Sequence, residues 1–473
     1  MLFPTITFVA FFAVVFAGSW ALAGRRRAWR LFMLAANYFF YALWGWRFAL
    51  LLAGLTICTD LFSRALAGRP RERRWLLGLA ILLELLPLAF FKYYGFAAFN
   101  LASLFSGSAA AAALPFLQLA VPVGISFTTF RAISYTVDCY RGELEPAPLV
   151  EMAVYLSFFP YIAAGPITRG KQVLPQFHSL RRRREIDATR ALFLICMGLV
   201  KKVVIGDFLA RAIVDSVFSA PGHYSSLDVI VGIHAYAVQI YCDFSGYTDM
   251  AIGIALLLGI SLPINFDRPY TAASVREFWR RWHMSLSSWL RDYLYIPLGG
   301  SRRSQPRVYF NVIFTMLLAG IWHGAGWTFL VWGGMHGVAQ AVEHGLTARR
   351  KSSGLPEPEP GRAGRILRRL LTFEFVCLAW VFFRADSLTN GAAVIARTFT
   401  GWTTVPSFGW LVVLAIAVGV GFQYSPAAWG ERLQAGLSQR PWAVQGVIFG
   451  LALFAIVGLL GSEGVTRFIY MGF

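Results

Sequence analysis

The chain has 473 residues, of which 57% are hydrophobic, 16% aromatic and only 14% charged. A soluble domain carries roughly 25% charged residues, so this composition excludes an ordinary soluble protein and indicates an integral membrane protein. A formal net charge of +19 would point to nucleic acid in a soluble protein, but here Arg and Lys form short clusters between apolar runs. That arrangement is typical of positive-inside orientation, so we expect membrane lipids and no nucleic acid as partners.

Apolar runs recur along nearly the whole chain, several of them near the roughly 20 residues that a helix needs to cross a membrane. They lack the short apolar/polar alternation of an outer-membrane barrel, so we expect an all-α, polytopic fold that forms one membrane domain over residues 1–473. Some runs are too short to cross and are interpreted as re-entrant or interfacial helices, which leaves about 11 transmembrane helices.

In chain order, the first run covers residues 3–23, and two tilted helices fit between the basic clusters at 25–30 and 68–74. Because the charges follow the first run, it is predicted to be an anchor and not a cleaved signal peptide. Further spans are predicted at residues 75–91, 112–136, 150–166, 189–205, 228–242, 247–262, 308–322, 327–343, 370–384, 409–424 and 442–460.

The linker at residues 345–369 is rich in Pro, Glu and Arg, and its first half lacks apolar periodicity. This composition predicts a flexible loop, and its basic residues place that loop on the cytoplasmic side. The chain has no internal repeat, which disfavours an inverted-repeat transporter.

The segment "SVREFWRRWHMSLSSWLRDYLYIPLGG" differs from the apolar runs. On a helical wheel, one face within about 80° gathers Trp279, Trp282, Leu286, Trp289 and Tyr293, while the charged residues occupy the other face. This pattern predicts one amphipathic helix at the membrane interface, with Glu277 paired to Arg281 four residues on. His283 falls at the edge of the apolar face, which the interfacial interpretation does not explain.

Residues 308–342 contain no Asp, Glu, Lys or Arg, and as one straight helix they would measure about 52 Å. Both flanks are basic, so the segment is predicted to turn round in the middle, at Gly320–Gly326. His323 lies in that bend, where freed backbone N–H groups could stabilise an oxyanion and imidazole suits proton transfer near neutral pH. His336 lies thirteen residues further on and is interpreted as a packing or hydrogen-bonding residue.

Polar side chains also interrupt the apolar run at residues 239–253. At membrane depth such groups must be paired, neutral or in contact with water. The favoured interpretation is structural pairing of the carboxylates with Arg or Tyr, and the alternative is that Asp243, Ser245 and Tyr247 line a substrate path. His234 is assigned to the same buried region.

Searches for other chemistry find no GxSxG elbow, HExxH motif, Walker loop or GxGxxG after a strand. The five cysteines have no CxxC spacing, and no His and carboxylate cluster stands out. We therefore expect no disulfide framework, no metal site and no bound cofactor.

Five long stretches resemble the membrane-bound O-acyltransferase family, specifically the bacterial branch of the alginate O-acetyltransferase membrane subunit. They are "VPVGISFTTFRAISYTVDCYRG", "FFPYIAAGPITR", "YCDFSGYTDMAIGIALLLGI", "NFDRPYTAASVREFWRRWHMSLSSWLRDYLYIPLGGSR" and "GIWHGAGWTFLVWGGMHG", at residues 121–142, 158–169, 241–260, 265–302 and 320–337. Tyr161 departs from the His or Gln of many relatives.

The resemblance implies a multi-helix fold around a tunnel or funnel through the membrane. It implies that His323 of "WHG" is catalytic and that His283 of "FWRRWH" is a second recurrent position along the acyl path. Trp322, Arg280 and Trp282 stand beside these histidines in the same motifs and are further candidates for that path.

For function, the resemblance implies an acetyltransferase of the bacterial inner membrane, with acetyl-CoA as cytoplasmic donor and an extracytoplasmic polysaccharide such as alginate as acceptor. A separate periplasmic esterase-like protein is the expected partner. We expect His323 to act as general base on an acceptor hydroxyl. The alternatives are another acceptor such as cellulose or peptidoglycan, a polysaccharide or lipid-linked sugar transporter, and a non-catalytic scaffold.

Overall fold

A computed structural model describes residues 3, 5–68, 73–104, 119–179, 186–354, 361–458 and 468. The regular structure in these residues is helical, with no strand among them, which confirms the predicted all-α class. The chain divides into two compact units, Met1–Ala191 with Ala251–Pro263 and Leu192–Met250 with Ile264–Phe473. One membrane domain over residues 1–473, as the sequence predicts, stays a prediction.

The first unit holds the helices α1 Ile6–Leu22, α2 Arg26–Ala42, α3 Trp46–Leu66, α4 Arg74–Leu88, α5 Tyr94–Leu104, α6 Ile125–Arg141, α7 Leu149–Ser157, α8 Phe159–Ile162 and α9 Gly170–His178. A π-helical stretch, Ala89–Tyr93, joins α4 to α5. Local capping begins the first helix, because the side chain of Thr5 accepts a 3.2 Å hydrogen bond from the N–H of Phe8.

The first unit contains a buried cation at Arg131. Its guanidinium donates to the carbonyl of Tyr161 at 3.3 Å and to Oγ1 of Thr128 at 3.1 Å. The same group lies 4.6 Å from the centre of the Tyr161 ring. Tyr161, the departure from the family pattern, therefore packs as a cation–π partner inside this unit.

The second unit holds α10 Ala188–Leu199, α11 Asp207–Leu209, α12 Asp215–Ser219, α13 Ser226–Leu257, α14 Val275–Arg281, α15 Met284–Leu290, α16 Gln305–His323, α17 Trp327–Ser352, α18 Arg362–Arg384, α19 Leu388–Thr400, α20 Trp410–Tyr424, α21 Ala427–Ser438 and α22 Trp442–Gly458. The first residues of α10 and the last of α13 belong to the first unit. π-Helical stretches occur at Val200–Gly206, Ala210–Val214 and Arg291–Tyr295.

Three described helical segments are long and apolar enough to cross a membrane: Trp46–Leu66, Arg74–Leu104 and Ser226–Leu257. A fourth is reached if the bent pair Trp410–Tyr424 and Ala428–Ser438 counts as one span. The expected total of about 11 transmembrane helices stays a prediction. The predicted spans at 112–136 and 442–460 also run over residues 112–118 and 459–460, which lie outside the described part of the chain.

Helices α16 and α17 form an antiparallel hairpin, as the uncharged segment 308–342 predicts. The reversal is confined to Gly324–Gly326, and α16 continues through Gly320 to His323. Gly320 is therefore not part of the bend. It is a contact point, since a Cβ there would collide with the carbonyl of Phe329 on the facing helix.

The predicted amphipathic helix over 274–300 is wrong as one continuous element. It breaks between α14 and α15, because His283 adopts a left-handed backbone with φ 43° and ψ 54°. Asn265 stabilises the break from outside the helix, with its backbone carbonyl accepting the N–H of Met284 at 2.9 Å. The predicted ion pair is confirmed, with 2.8 Å between Arg281 Nη2 and Glu277 Oε1.

Helices occupy both ends of the segment 345–369 that was predicted to be a flexible loop. Helix α17 runs on to Ser352 and α18 begins at Arg362, while residues 355–360 lie outside the described part of the chain. Good helix formers account for both extensions, and Arg349, Arg350 and Lys351 in the last turn of α17 also favour its C-terminal dipole.

Candidate active site

His323 is the last residue of α16 and lies in an aromatic enclosure with 2% of its surface exposed. Its ring centroid lies 4.9 Å from that of Trp322, 5.0 Å from that of Trp332 and 5.2 Å from that of Phe383. The hairpin reversal explains this position, because the chain turns back immediately after His323 and α17 brings Trp332 against it. Such an apolar surround strengthens any charge interaction made inside it.

His283 is fully buried at the break between α14 and α15. Its ring meets Phe244 of α13 edge to face, with 4.6 Å between the centroids. Its Nδ1 lies 3.3 Å from Oδ1 of Asn265. The side chain is therefore held by a helix on one side and by an amide on the other.

The amide of Asn265 fixes which nitrogen of His283 carries the proton. Asn265 Oδ1 accepts the backbone N–H of Ser285 at 3.0 Å and the hydroxyl of Ser285 at 2.8 Å, so this atom is the acceptor end of the amide. Nδ1 of His283 must then be the donor, which leaves Nε2 as the basic nitrogen of the neutral ring. His283 lies outside the three apolar spans, and burial lowers its pKa to about 3, so the ring is neutral at ordinary pH.

The two histidines come together, although forty residues separate them in the chain. Their ring centroids are 6.5 Å apart, and Trp322 lies 6.1 Å from His283. Of the predicted site residues, His323, His283 and Trp322 therefore share one buried location. This convergence makes both imidazoles available to one small group bound beside them.

Two backbone amides at the bend already have carbonyl acceptors. The N–H of Gly324 donates to the carbonyl of Gly320 at 3.4 Å, and the N–H of Gly326 donates to the carbonyl of Gly324 at 3.1 Å. If these amides are to stabilise an oxyanion, they must first exchange these partners. The expectation of freed N–H groups at the bend therefore does not hold for these two glycines.

Asp243 is buried and paired, as the favoured interpretation predicts, but its partner is a lysine. Nζ of Lys202 lies 2.5 Å from Asp243 Oδ1 and 2.8 Å from Asp207 Oδ1. Asp249, on the same helix as Asp243, pairs with Lys201 at 2.6 Å. Buried charges of this kind are stable only when paired, so these contacts tie the stretch after α10 to α13.

The other two candidates on α13, Ser245 and Tyr247, are buried. Ser245 is 1% and Tyr247 is 5% exposed. It is Phe244, between Asp243 and Ser245 in the chain, that contacts His283. A role for Asp243, Ser245 or Tyr247 in the acyl path stays a prediction.

Arg280 and Trp282 differ in their environment, although both belong to the α14 region. Arg280 is exposed. Trp282 is fully buried and stacks on Phe278 at 5.6 Å, with Trp380 at 5.1 Å. Trp282 thus packs against aromatic residues of the core through Phe278 and Trp380. Arg280 instead lines a separate cavity.

His336 and His234 have environments of their own. His336 accepts a 3.2 Å hydrogen bond on Nδ1 from the indole N–H of Trp279, and it packs against Trp332 at 5.0 Å. This is the packing and hydrogen-bonding role predicted for it. His234, assigned from sequence to the region of Asp243, instead lies 3.1 Å from a carboxylate oxygen of Glu374.

Two residues that matter here were missed in the sequence. Lys202 lies in the doublet "KK" within the predicted span 189–205. The signal for it was the presence of carboxylates in the apolar run 239–253, because buried carboxylates need a cation as partner. Asn265 had no signal of its own, because its role depends on the unpredicted left-handed turn at His283. Among the described residues, no group of three or more His, Cys, Asp or Glu side chains could hold a metal ion.

Comparisons with known proteins identify the family of the chain. Residues 124–359 match the model of the membrane-bound O-acyltransferase family. The probable alginate O-acetylase of Pseudomonas aeruginosa is 40% identical over 82% of this chain and 73% of its own length. The peptidoglycan O-acetyltransferase of Helicobacter pylori is 35% identical over 84% of this chain and 79% of its own length.

A more distant relative widens the range of activities. The teichoic acid D-alanyltransferase of Bacillus subtilis is 28% identical over 55% of this chain and 68% of its own length. The matched family region contains both His283 and His323. The chain belongs to the membrane-bound O-acyltransferase family, and it is an acyltransferase.

Proposed function

We propose that the protein is an O-acetyltransferase of the bacterial inner membrane that moves an acetyl group from cytoplasmic acetyl-CoA toward an extracytoplasmic polysaccharide. His323 is the general base of this reaction. The observation that carries the proposal is the buried pair of imidazoles, 6.5 Å apart between ring centroids, in a chain of an acyltransferase family.

The chemistry follows from the properties of the pair. His323 takes the proton of the acceptor hydroxyl as its oxygen attacks the thioester carbonyl. The carbon–sulfur bond then breaks, and the thiolate leaves with the proton from the imidazolium of His323. The aromatic enclosure excludes water, which protects the thioester from hydrolysis.

His283 has a different part in this scheme. With Nδ1 donating to Asn265, its Nε2 is a hydrogen-bond acceptor that can orient the acceptor hydroxyl toward the thioester carbonyl. Asn265 acts through His283 and is a positioning residue. In an alternative mechanism, the acetyl group is first transferred to His323 as a covalent acetyl-histidine. Trapping with labelled donor distinguishes this intermediate from direct transfer.

The acceptor that the relatives favour is alginate, since the probable alginate O-acetylases of Pseudomonas aeruginosa and Pseudomonas putida are 40% and 38% identical to this chain. A second candidate is peptidoglycan, because a peptidoglycan O-acetyltransferase is 35% identical over a similar length. In either case a separate periplasmic esterase-like protein completes the transfer to sugar hydroxyls.

The test uses the full chain reconstituted in liposomes with radiolabelled acetyl-CoA. Mannuronate oligosaccharides and muropeptides are supplied in parallel, each with and without a purified periplasmic esterase-like partner. Acetylation of the mannuronate oligosaccharides supports the proposal, and acetylation of muropeptides alone supports the second candidate. Flux of oligosaccharide without acetyl transfer would identify a transporter and overturn both.

A further inference from the structure

A cavity of about 430 Å³ lies in the second unit beside the open end of the α16–α17 hairpin. Arg276 and Arg280 of α14 line it together with Arg291, and Gln340 and His344 of α17 also contribute. The buried atoms Nε of Arg276 and Nε2 of Gln340 donate to no acceptor in the described part of the chain. The cavity thus has buried hydrogen-bond donors and positive charge.

Two neighbouring cavities extend the positive charge. One of about 830 Å³ shares Arg276 and Arg280 with the first and adds three further cations: Arg350, Lys351 and Arg368. The other, of about 600 Å³, shares Arg291 with the first and adds Arg302 and Arg303. Together they form a continuous basic site, which we name the arginine cavity.

The two carboxylates that line the arginine cavity already have partners. Glu277 pairs with Arg281 at 2.8 Å. Glu343 accepts the N–H of Val275 at 2.6 Å and that of Arg276 at 3.1 Å. Arg291 is also paired, with its Nε 2.7 Å from Oδ1 of Asp292. The other cations on the cavity wall still present an excess of positive charge, which suits a ligand with several negative charges.

One wall of the cavity is apolar and leads toward the catalytic histidine. Met316 of α16 lines it, and His323 follows seven residues later on the same helix, about 10 Å further along at 1.5 Å per residue. Trp279 lines the same cavity and touches Trp332, which in turn touches His323. A ligand with an anionic head here needs only a flexible arm of that length to deliver a thioester to His323.

We propose that the arginine cavity binds the phosphate groups of the thioester donor and thereby orients its acyl arm toward His323. This assignment rests on the proposed acetyl transfer from a phosphorylated thioester. Arg276 and Arg280 are its central ligands, because both the 430 Å³ and the 830 Å³ cavities include them.

The experiment measures the Kd of acetyl-CoA for the full chain in phosphatidylcholine nanodiscs. The double variant Arg276→Gln/Arg280→Gln is compared with wild type and with Arg432→Gln, which changes an exposed arginine away from these cavities. Hydrogen bonds to charged groups are strong enough that losing each arginine raises Kd about tenfold or more. Inorganic pyrophosphate should compete with acetyl-CoA for wild type, and Arg432→Gln should bind like wild type.

A second variant separates loss of the site from misfolding. Arg276→Lys/Arg280→Lys keeps both charges but loses the bidentate geometry, so we expect a Kd between those of wild type and the glutamine variant. An unchanged Kd in the glutamine variant would overturn the proposal. If the glutamine variant binds acetyl-CoA and transfers acetyl with the wild-type KM, only the cavity assignment is wrong. If the wild-type protein neither binds nor uses acetyl-CoA, the proposed donor itself is wrong.

Membrane phosphate is the other source of the same chemistry. The measurement is repeated in nanodiscs that contain phosphatidylglycerol. Competition by pyrophosphate that is independent of this lipid supports a soluble donor. If the glutamine variant differs from wild type only in its response to phosphatidylglycerol, the cavity is a lipid headgroup site and the proposal is wrong.

Discussion

At the scale of single residues, the candidate site depends on how one amide orients one imidazole. Asn265 Oδ1 accepts from Ser285 and from Nδ1 of His283, so the neutral ring of His283 keeps its basic nitrogen, Nε2, for other partners. A left-handed backbone at a residue other than glycine is costly and persists only where the surroundings stabilise it. Here the carbonyl of Asn265 also holds the next residue, Met284.

Asn265→Asp tests this role through the pH dependence of turnover. A carboxylate next to Nδ1 stabilises the imidazolium, so it raises the pKa of His283 from its buried value of about 3. The neutral ring is then lost at a higher pH, so on acidification kcat should begin to decline at a higher pH than in wild type. Asn265→Ala is the control, because it should lower kcat at every pH without introducing a decline at higher pH. A decline at the same pH in Asn265→Asp as in wild type and Asn265→Ala would contradict the assignment.

His336→Leu should impair folding rather than chemistry. The substitution leaves the buried N–H of Trp279 without its acceptor, which costs about 1–3 kcal/mol. We expect a lower thermal midpoint in detergent and a kcat for the folded fraction within about tenfold of wild type, far above that of a variant lacking a general base. Loss of turnover at an unchanged midpoint would mean that His336 takes part in the reaction.

The sequence identified the chemistry-bearing residues better than their partners. His323 could be singled out because a histidine is costly at membrane depth, and both His323 and His283 could be singled out because they lie in long family motifs. That they lie beside each other could not be predicted, since the contact depends on the packing of α14 against the hairpin. The lysine partner of Asp243 was missed because Lys202 interrupts an otherwise apolar helix.

At the scale of elements, glycines allow α16 and α17 to pack closely in their hairpin. Gly333 and Gly337 are four residues apart on α17 and face the backbone of α16, where a Cβ would meet the carbonyl of Met316 and, at 2.9 Å, the Cα of Ile313. This small-residue spacing is a common means of bringing membrane helices into close contact. It brings Trp332 of α17 against His323 of α16.

Gly333→Ala and Gly334→Ala make a matched pair that tests this packing. The methyl group at 333 collides with backbone, which cannot move aside, and overpacking of this kind costs about 1–3 kcal/mol. At 334 the nearest atom is a side-chain carbon of Leu317 at 3.6 Å, so that variant should be neutral or gain the helix propensity of alanine. The check is the thermal midpoint and kcat of both variants; equal midpoints would contradict close packing at Gly333.

The helical wheel failed at 274–300 for a physical reason. It assumes an uninterrupted 100° rotation per residue, and the positive φ of His283 breaks that rotation. The capping signal at Ser274 was present, because its side chain accepts the N–H of Glu277 at 3.1 Å. The sequence carried no such capping signal for the start of the second helix, α15, at Met284.

At the scale of the whole molecule, the distribution of basic residues predicts a direction of transfer. The arginine cavity lies near the open end of the hairpin, and His323 lies at its closed end. Positive charge is retained on the cytoplasmic side, so donor should enter there. The large-scale features predicted best from sequence are therefore the all-helical class, the family and the hairpin, while the division into two units had no sequence signal.

Sidedness of donor use checks this direction. A cysteine introduced as Ser353→Cys, just beyond α17, marks the side of the arginine cavity for a membrane-impermeant thiol reagent. In proteoliposomes of uniform orientation, acetyl-CoA should support transfer only from the side on which this cysteine is labelled. Equal use of donor from both sides, or from the opposite side only, would contradict the predicted orientation.

The most direct test of the account is the turnover of His323→Ala, measured beside His336→Ala in the same reconstituted system. Both variants truncate a buried imidazole in one hairpin, so general effects of truncation are matched. General-base catalysis contributes about 10²- to 10⁴-fold, so His323→Ala should lose about that much in kcat while the folded protein still binds acetyl-CoA. Acetyl transfer by folded His323→Ala at the wild-type rate would contradict the assignment of His323 as the base.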